Sequence, residues 1–475
     1  MALSSVPTKS PVTPRHDAAA GHVSRETLVA SSHDTIAAIA TAPGRAGIGV
    51  VRVSGGALAE FIQSICSKRL HARVATLCDF SDEAGGIIDQ GLALYFPTPH
   101  SYTGEDVVEL QGHGGPVVLQ RLLRRCLTLG ARVAEPGEFS KRAYLNGKMD
   151  LTQAEGVADL IDAATEQAAR CANRSIQGEF SAEVHALGRA LVELRALTEA
   201  TLDFPEEEID SGTRDDQQRR LHGIQEQLAR LLAASDQGSL LREGALVVLA
   251  GQPNAGKSSL LNRLAGEEVA IVTEIPGTTR DAIRLSINLL GVPVHIIDTA
   301  GLRESADPVE RIGIARTWSA IEQADLAVLV IDATKGDSAE DQAILARLPK
   351  GLPCLRAYNK ADLAGTAPGA STNRGVASVT LSAKTGEGID ALRAAMAKAI
   401  GWRGEGEGVF MARARHLNAL RQAQAGLTRA AQEIPRQELF AEELRSAHEA
   451  LMSITGEITP DDLLGEIFSR FCIGK

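Results

Sequence analysis

The sequence predicts a multidomain α/β protein: an amino-terminal α+β lobe, an all-α region in two separated pieces, and between those pieces a domain built on a parallel sheet. Three observations predict it. Short apolar runs broken by Gly and Pro occupy residues 34–150. Helical apolar spacing occupies residues 151–242 and resumes after 401. Between them, from residue 245 to 259, an apolar run, a glycine-rich loop and a helical pattern follow one another. Short runs between turn residues read as strands, a 3.6-residue apolar period reads as helix, and strand, glycine loop and helix in that order form a phosphate-binding loop.

Composition sets the bounds. A chain of 475 residues, 44% hydrophobic and 23% charged, is ordinary globular protein with room for about three domains. Its net charge of −11 argues against unaided gripping of nucleic-acid phosphates over a broad surface, while leaving room for a local basic patch or a basic partner. Cys66, Cys78, Cys126, Cys171, Cys354 and Cys472 form no CxxC pair, which disfavours a zinc ribbon and a disulfide framework and reads as reduced thiols. No apolar run approaches the roughly 18 residues of a membrane span, and no signal peptide opens the chain. No membrane is expected, and the expected location is the cytoplasm. Residues 1–33, rich in Ser, Thr, Ala and Pro, read as a disordered leader; Arg15 and Arg25 keep a transit peptide, and so the mitochondrial matrix, as the alternative.

Along the chain, the runs Ile48 to Val53, Gly91 to Phe96 and Val107 to Leu110 supply strands of the α+β lobe, residues 34–150. Leu187, Leu191, Leu194 and Leu197 give the helical stripe of the first all-α piece, residues 151–242, interrupted by the acidic loop 203–210. The inserted domain covers 243–400. A linker from Gly401 to Gly408, too glycine-rich for a helix, opens the second piece, 401–475, where Thr459-Pro460-Asp461-Asp462 supplies an N-cap, a proline at the first helical position and a carboxylate-rich first turn. Two independent helical pieces, rather than one discontinuous domain, are the alternative.

The inserted domain carries the chemistry. In Gly251-Gln252-Pro253-Asn254-Ala255-Gly256-Lys257-Ser258-Ser259 the glycines turn N–H groups toward an anion, and the following helix adds its positive end. Lys257 is expected on the β and γ phosphates and Ser258 on Mg²⁺. Asp298-Thr299-Ala300-Gly301 ends an apolar run, so Asp298 emerges at a strand's carboxyl edge, where α/β sheets bind ligands; Gly301 lets its N–H approach the γ-phosphate. Asn359-Lys360-Ala361-Asp362 follows another candidate strand, and its Asp carboxylate accepts from guanine N1–H and the 2-amino group, donors that adenine lacks in that arrangement. Rejection of adenine then leaves a buried carboxylate unpaired. Ser382-Ala383-Lys384 completes the base pocket. Thr279, within Gly277-Thr278-Thr279-Arg280-Asp281, is placed for Mg²⁺ and the γ-phosphate. Together these predict a Ras-like GTPase domain with Mg²⁺ held by Ser258, Thr279 and Asp298. Where small GTPases commonly carry a water-orienting glutamine this chain has Leu302, which neither donates nor accepts.

From residue 34 to the end the chain resembles the MnmE (TrmE) family of tRNA-modification GTPases. The resemblance rests on Pro43-Gly44-Arg45, Ser101 to Asp106, Glu109 to Gly115, Pro136-Gly137-Glu138-Phe139, Asp203-Phe204-Pro205-Glu206, the nucleotide motifs, and the closing Cys472-Ile473-Gly474-Lys475. It implies a homodimer formed by an amino-terminal folate-binding domain, with 5-formyl- or 5,10-methylene-tetrahydrofolate against Arg52, Glu109, Lys148 and Lys475. It implies a heterotetramer with an FAD-dependent MnmG (GidA) partner, and installation of a carboxymethylaminomethyl or related group at C5 of the tRNA wobble uridine. It further implies K⁺ held by Asn254, Thr273, Ile275 and Thr278 where an arginine finger otherwise enters, with Glu310 orienting the attacking water through a second water. A supplied cation of this kind is worth roughly 10³ to 10⁵ in rate. Cys472 is either a thiol taking part in one-carbon chemistry or a passive exposed one. A ribosome-assembly GTPase acting as a timer is the alternative function. A signalling switch fits poorly with the large flanking regions.

Overall fold

A computed structural model describes residues 34–203, 211–266, 285–298, 321–373, 376–404, 408–457 and 461–474. Its contacts divide the chain into two units, one holding residues up to Lys148 together with Phe468–Lys475, the other Met149–Ile467. Among the described residues no helix is long and apolar enough to cross a membrane.

The first unit is a six-stranded sheet with helices. Strands β1 (Ile36–Ile39), β2 (Ala46–Gly55), β3 (Thr76–Ser81), β4 (Ile87–Phe96), β5 (Asp106–Gly114) and β6 (Arg132–Val133) lie in the order β3-β4-β5-β2-β1-β6, all antiparallel except β1–β6. The two-residue period of a strand sorts side chains by face. Ala37, Val51, Val53, Val108 and Leu110 point into one core with α1 (Ala59–Cys66) and α2 (Pro116–Thr128), where Leu119, Leu122 and Cys126 repeat at helical spacing. Ile36 and Ala38 face the other way, onto Phe139 of α3 (Glu138–Leu145). Arg52 and Glu109 alternate with Val51, Val53, Val108 and Leu110 and share this second face.

The carboxyl terminus joins this unit. Phe468 packs on Tyr144 with ring centroids 6.3 Å apart, and the Gly137 N–H donates to the Cys472 carbonyl (3.3 Å). The sequence places residues 401–475 together in the second helical piece; in the structure Phe468–Gly474 pack instead on the α+β unit, through contacts more than 300 positions apart that no local pattern reveals.

The second unit combines a helical bundle and a sheet. Helices α4 (Leu151–Asp162), α5 (Glu166–Ile176), α6 (Glu179–Asp203) and α7 (Ser211–Glu243) precede the sheet; α12 (Ala414–Glu433), α13 (Gln437–Thr455) and α14 (Asp461–Ser469) follow it. Helices α6, α7, α12 and α13 share one core. On α6 its residues are Phe180, Val184, Leu187, Leu191 and Leu194, a 4-3-4-3 spacing that places the next buried position at 198. Thr198 occupies it, and Leu197, expected in the stripe, is only half-buried. Thr198 opens a polar layer in which Gln217 and Gln437 exchange amide hydrogen bonds of 2.8 and 3.1 Å.

Strands β7 (Ala245–Gly251), β8 (Leu285–Leu289), β9 (Val292–Asp298), β10 (Leu326–Asp332), β11 (Cys354–Asn359), β12 (Gly369–Asn373) and β13 (Val376–Thr380) form the second sheet, in the order β12-β13-β11-β10-β7-β9-β8. Its interior is parallel, as expected, and both edge strands are antiparallel. Helices α8 (Lys257–Ala265), α9 (Ala339–Arg347), α10 (Ala361–Ala364) and α11 (Ile389–Ala399) connect it.

The chain enters and leaves this sheet domain through segments that hold each other. Gln237 on α7 donates to the Gly401 carbonyl and accepts from the Arg403 N–H, both at 3.0 Å. A Cβ at Gly238 would fall 1.5 Å from the Phe410 carbonyl oxygen, so only glycine permits the returning strand of chain to cross α7 there. The expected linker is therefore docked at its start, with Trp402 buried in the core beneath the sheet. Deeper in, one carboxylate oxygen of Asp159 accepts from Arg242 (2.9 Å), ahead of β7, and from Arg413 (2.8 Å), ahead of α12. Beside it Glu155, 1% exposed, takes a two-pronged bond from Arg415 (2.8 and 2.6 Å) and one from His416 (2.8 Å).

Candidate functional site

The glycine loop lies between β7 and α8, at the carboxyl edge of the parallel strands. Gly256 has φ +97°, and a Cβ there would sit 2.1 Å from Asn359 Nδ2, so that position excludes any other residue on two grounds. Asn254 adopts the left-handed region at φ +63°, which Asn tolerates better than most residues; its side chain and those of Ser258 and Ser259 are exposed, while Ala255 is buried. Lys257 folds over its own loop, Nζ donating to the carbonyls of Gly251 (2.6 Å) and Gln252 (2.9 Å). These carbonyls hold the ammonium within the glycine loop. Asp298 ends β9, its backbone in register with Leu249 of β7, so it closes the same edge two residues before the loop begins.

Asn359 is the keystone of the base side. Its amide donates to the Ala255 carbonyl (2.9 Å) and accepts from the Ala383 N–H (2.9 Å). One buried side chain thus fixes the glycine loop to the Ser382-Ala383-Lys384 loop. Ser382, fully buried, donates to Asp362 (2.7 Å), orienting a carboxylate that is otherwise exposed. Lys360 pairs with Asp332 (2.6 Å). Burial alone would raise the Asp332 carboxyl, but the Lys360 ammonium and the Thr334 donors hold it at about 2.

Two residues here escape the sequence reading. Arg263, on α8, donates to the carbonyls of Ala383 (3.2 Å) and Lys384 (2.7 Å), holding the base loop from behind. Nothing in its local sequence marks it. Asp332 did carry a signal, since it ends an apolar strand as Asp298 does. Thr273, Ile275, Thr278, Thr279, Thr299, Ala300, Gly301, Leu302 and Glu310 lie outside the described residues, as does Lys475.

The first unit gathers a second set. Arg52 Nε donates to Glu109 (3.0 Å) and Nη1 to the Gly474 carbonyl (3.4 Å). Its guanidinium lies 5.5 and 5.8 Å from the ring centres of Tyr102 and Phe139, within cation–π range. Lys148 donates to the Pro99 carbonyl (2.9 Å) and lies against Gly104, where a Cβ would be 3.3 Å from its Cγ. Cys472 is exposed. Beneath runs a charged network that the sequence does not announce: Ser54 bonds Thr103 (2.7 Å) and Glu105 (2.8 Å), and Arg142, 2% exposed, bonds Glu105, Glu138 and Asp34. Burial works to raise the Glu138 carboxyl, but Arg132, the Glu135 N–H and Arg142 win and hold it below its usual range. A charge so paired positions the Tyr102 loop and α3 rigidly around Arg52.

Similarity to known proteins identifies the family. The family model described as "GTP-binding protein TrmE N-terminus" matches residues 35–148, and that described as "MnmE helical domain" matches residues 151–472. The protein of Nitrosomonas europaea named tRNA modification GTPase MnmE is 60% identical over 450 residues, covering 94% of this chain and 100% of that one. The protein of the same name from Laribacter hongkongensis is 59% identical over 445 residues, covering 93% and 99%. With both models matched and identity of this order over nearly the whole of each relative, the chain is a GTP hydrolase and belongs to the MnmE (TrmE) family of tRNA modification GTPases.

Proposed function

We propose that this chain is a potassium-activated GTPase that works with an FAD-dependent flavoprotein of the MnmG (GidA) type to install a carboxymethylaminomethyl or related group at C5 of the tRNA wobble uridine, drawing the one-carbon unit from 5-formyl- or 5,10-methylene-tetrahydrofolate. The carrying observation is that one chain holds both a guanine-nucleotide edge and, in the other unit, the Arg52–Glu109 pair beside the carboxyl-terminal tail. An arginine over aromatic rings and a carboxylate suit a folded pterin with its attached glutamate, the carboxylate pairing with a ring amidine as Asp362 does with guanine.

Ser258 and Asp298, both hard oxygen donors, suit Mg²⁺, with Thr279 as the third ligand. Asn254, exposed and left-handed in the glycine loop, suits K⁺ together with Thr273, Ile275 and Thr278, where the cation supplies transition-state charge. Lys257 neutralises the phosphates, and Glu310 orients water in place of the glutamine that Leu302 replaces.

A homodimer through the amino-terminal domain has support from the sheet face. Leu77 and Leu92, opposite one another in register, are 55% and 40% exposed on the face that carries Arg52 and Glu109, an apolar strip beside the folate residues. The domain boundaries that fit are 34–150 joined by 468–475, a helical domain in pieces 151–242 and 401–467, and an inserted GTPase domain 243–400. The bacterial relatives favour a cytoplasmic location.

The test is the initial rate of GTP hydrolysis in K⁺ and in Na⁺ at matched ionic strength. The proposal expects at least a tenfold higher rate in K⁺, lost in Asn254→Ala. Equal rates in the two salts would overturn it.

A further inference from the structure

Where the sheet domain meets the helices, one hydroxyl serves two partners. Thr165 closes the turn between α4 and α5. Its Oγ1 accepts from the Ala168 N–H (3.1 Å), capping α5, and donates to the Gly291 carbonyl (2.8 Å). Gly291 lies in the two-residue turn joining β8 to β9, and that turn is closed on itself by the Gly291 N–H donating to Asn288 (2.8 Å). It is seated on the first turn of α5: a Cβ at Gly291 would be 3.2 Å from Gln167 Cβ. Ala168, Cys171 and Ala172 of α5 enter the same core as Val294 and Ile296 of β9.

The other end of this hairpin is the nucleotide site. Strand β9 runs from Val292 to Asp298; its first residues pair with β8, and from Val294 to Asp298 it pairs with β7, the strand that delivers the glycine loop. A paired strand transmits displacement of its start to its end, because slipping by one residue would turn every side chain to the wrong face. The helical side gives little, since α4 is tied by Asp159 and Glu155 to Arg242, Arg413 and Arg415. Movement of the β8–β9 turn relative to the helices must therefore break the Thr165 bond.

We propose that Thr165 is a positioning residue for GTP hydrolysis. Its hydroxyl fixes the β8–β9 turn against α5 and so sets where β9 presents Asp298 to the nucleotide. The inference rests on the GTPase assignment and is independent of the K⁺ and folate readings.

Three variants of the full chain separate this role from helix capping. Thr165→Ser keeps both bonds. Thr165→Asp keeps a capping acceptor but has no donor for the Gly291 carbonyl. Thr165→Val removes both. The expected result is kcat close to wild type for Ser and about two- to twelvefold lower for Asp and Val, the range of one neutral hydrogen bond, with KM for GTP within about twofold throughout and Tm lowered chiefly in Val. A wild-type kcat in Asp, with or without a slow Val variant, would reduce Thr165 to a helix cap, and a change confined to KM would likewise overturn the proposal. Turnover of the wild-type chain in the same assay keeps failure of this role distinct from failure of the GTPase assignment.

Discussion

Asn359 is expected to govern nucleotide affinity through its bridge between two loops. Replacing it with Ala leaves the Ala255 carbonyl and the Ala383 N–H without the bonds of 2.9 Å that each now makes. Both residues are at most 5% exposed. A typical hydrogen bond contributes about 0.5–1.5 kcal/mol, and an orphaned buried group costs about 1–3 kcal/mol. Since both groups border the ligand site and regain some solvent, a loss of about 2–3 kcal/mol is the working figure, or roughly 30- to 150-fold in Kd at 1.4 kcal/mol per decade. Asn359→Asp should weaken binding at least as much as Ala: its carboxylate still accepts from the Ala383 N–H, but its buried charge faces the Ala255 carbonyl oxygen where the amide donated at 2.9 Å. Titration of a fluorescent guanine nucleotide reads both. A Kd within threefold of wild type in Asn359→Ala, with unchanged Tm, would refute the bridging argument.

The buried charges of the second unit give further expectations. Glu155→Gln replaces the two-pronged carboxylate partner of Arg415 with a neutral amide at a position 1% exposed, while Arg415, 19% exposed, keeps its bonds to the Ser453 and Ile454 carbonyls. The loss should be smaller than the about 3–5 kcal/mol of breaking a fully buried pair; about 1–3 kcal/mol should lower Tm in calorimetry by roughly 2–12 °C at 2–4 °C per kcal/mol. His416 accepts the Arg413 N–H at Nδ1 (3.1 Å) and meets Glu155 at Nε2 (2.8 Å), an arrangement that needs the neutral ring. Burial, with Arg415, pushes its pKa down despite Glu155. A folded pKa below the unfolded value of about 6.5 means the folded state binds fewer protons, so stability is complete above that pH and declines as pH falls through and below it. Burial depresses His295 and His448 in the same direction; denaturant midpoints between pH 7 and 5 should therefore fall for the wild type and fall less steeply for His416→Gln.

What the sequence revealed and what it hid divide along chain separation. The glycine loop, Asp298 and the Asn359 motif are legible because each packs its chemistry into a few consecutive residues at a strand's end, and their order along the chain reproduces their order on the sheet edge. The bridging role of Asn359 is not, since its partners stand 104 and 24 residues away. The same holds for Glu155, whose arginine is 260 residues distant. The α6 stripe departs by one position from its apolar pattern, because heptad-like spacing carries the buried face onto Thr198 where hydrophobicity alone favours Leu197. Trp402 shows the converse: glycines around it suggest a free linker, yet one buried indole anchors the segment. The Arg52–Glu109 pair follows from the strand alternation of β2 and β5, but only tertiary packing brings Gly474 to it.

The central claim is that GTP turnover by this chain drives modification of wobble uridine in tRNA. The most direct test is mass spectrometry of wobble nucleosides from a strain deleted for its family member and complemented with this chain or with Lys257→Ala. The account predicts that the wild-type chain restores the C5-modified uridine and that Lys257→Ala leaves it unmodified. Unmodified uridine with the wild-type chain expressed and folded, or equal restoration by both, would contradict it.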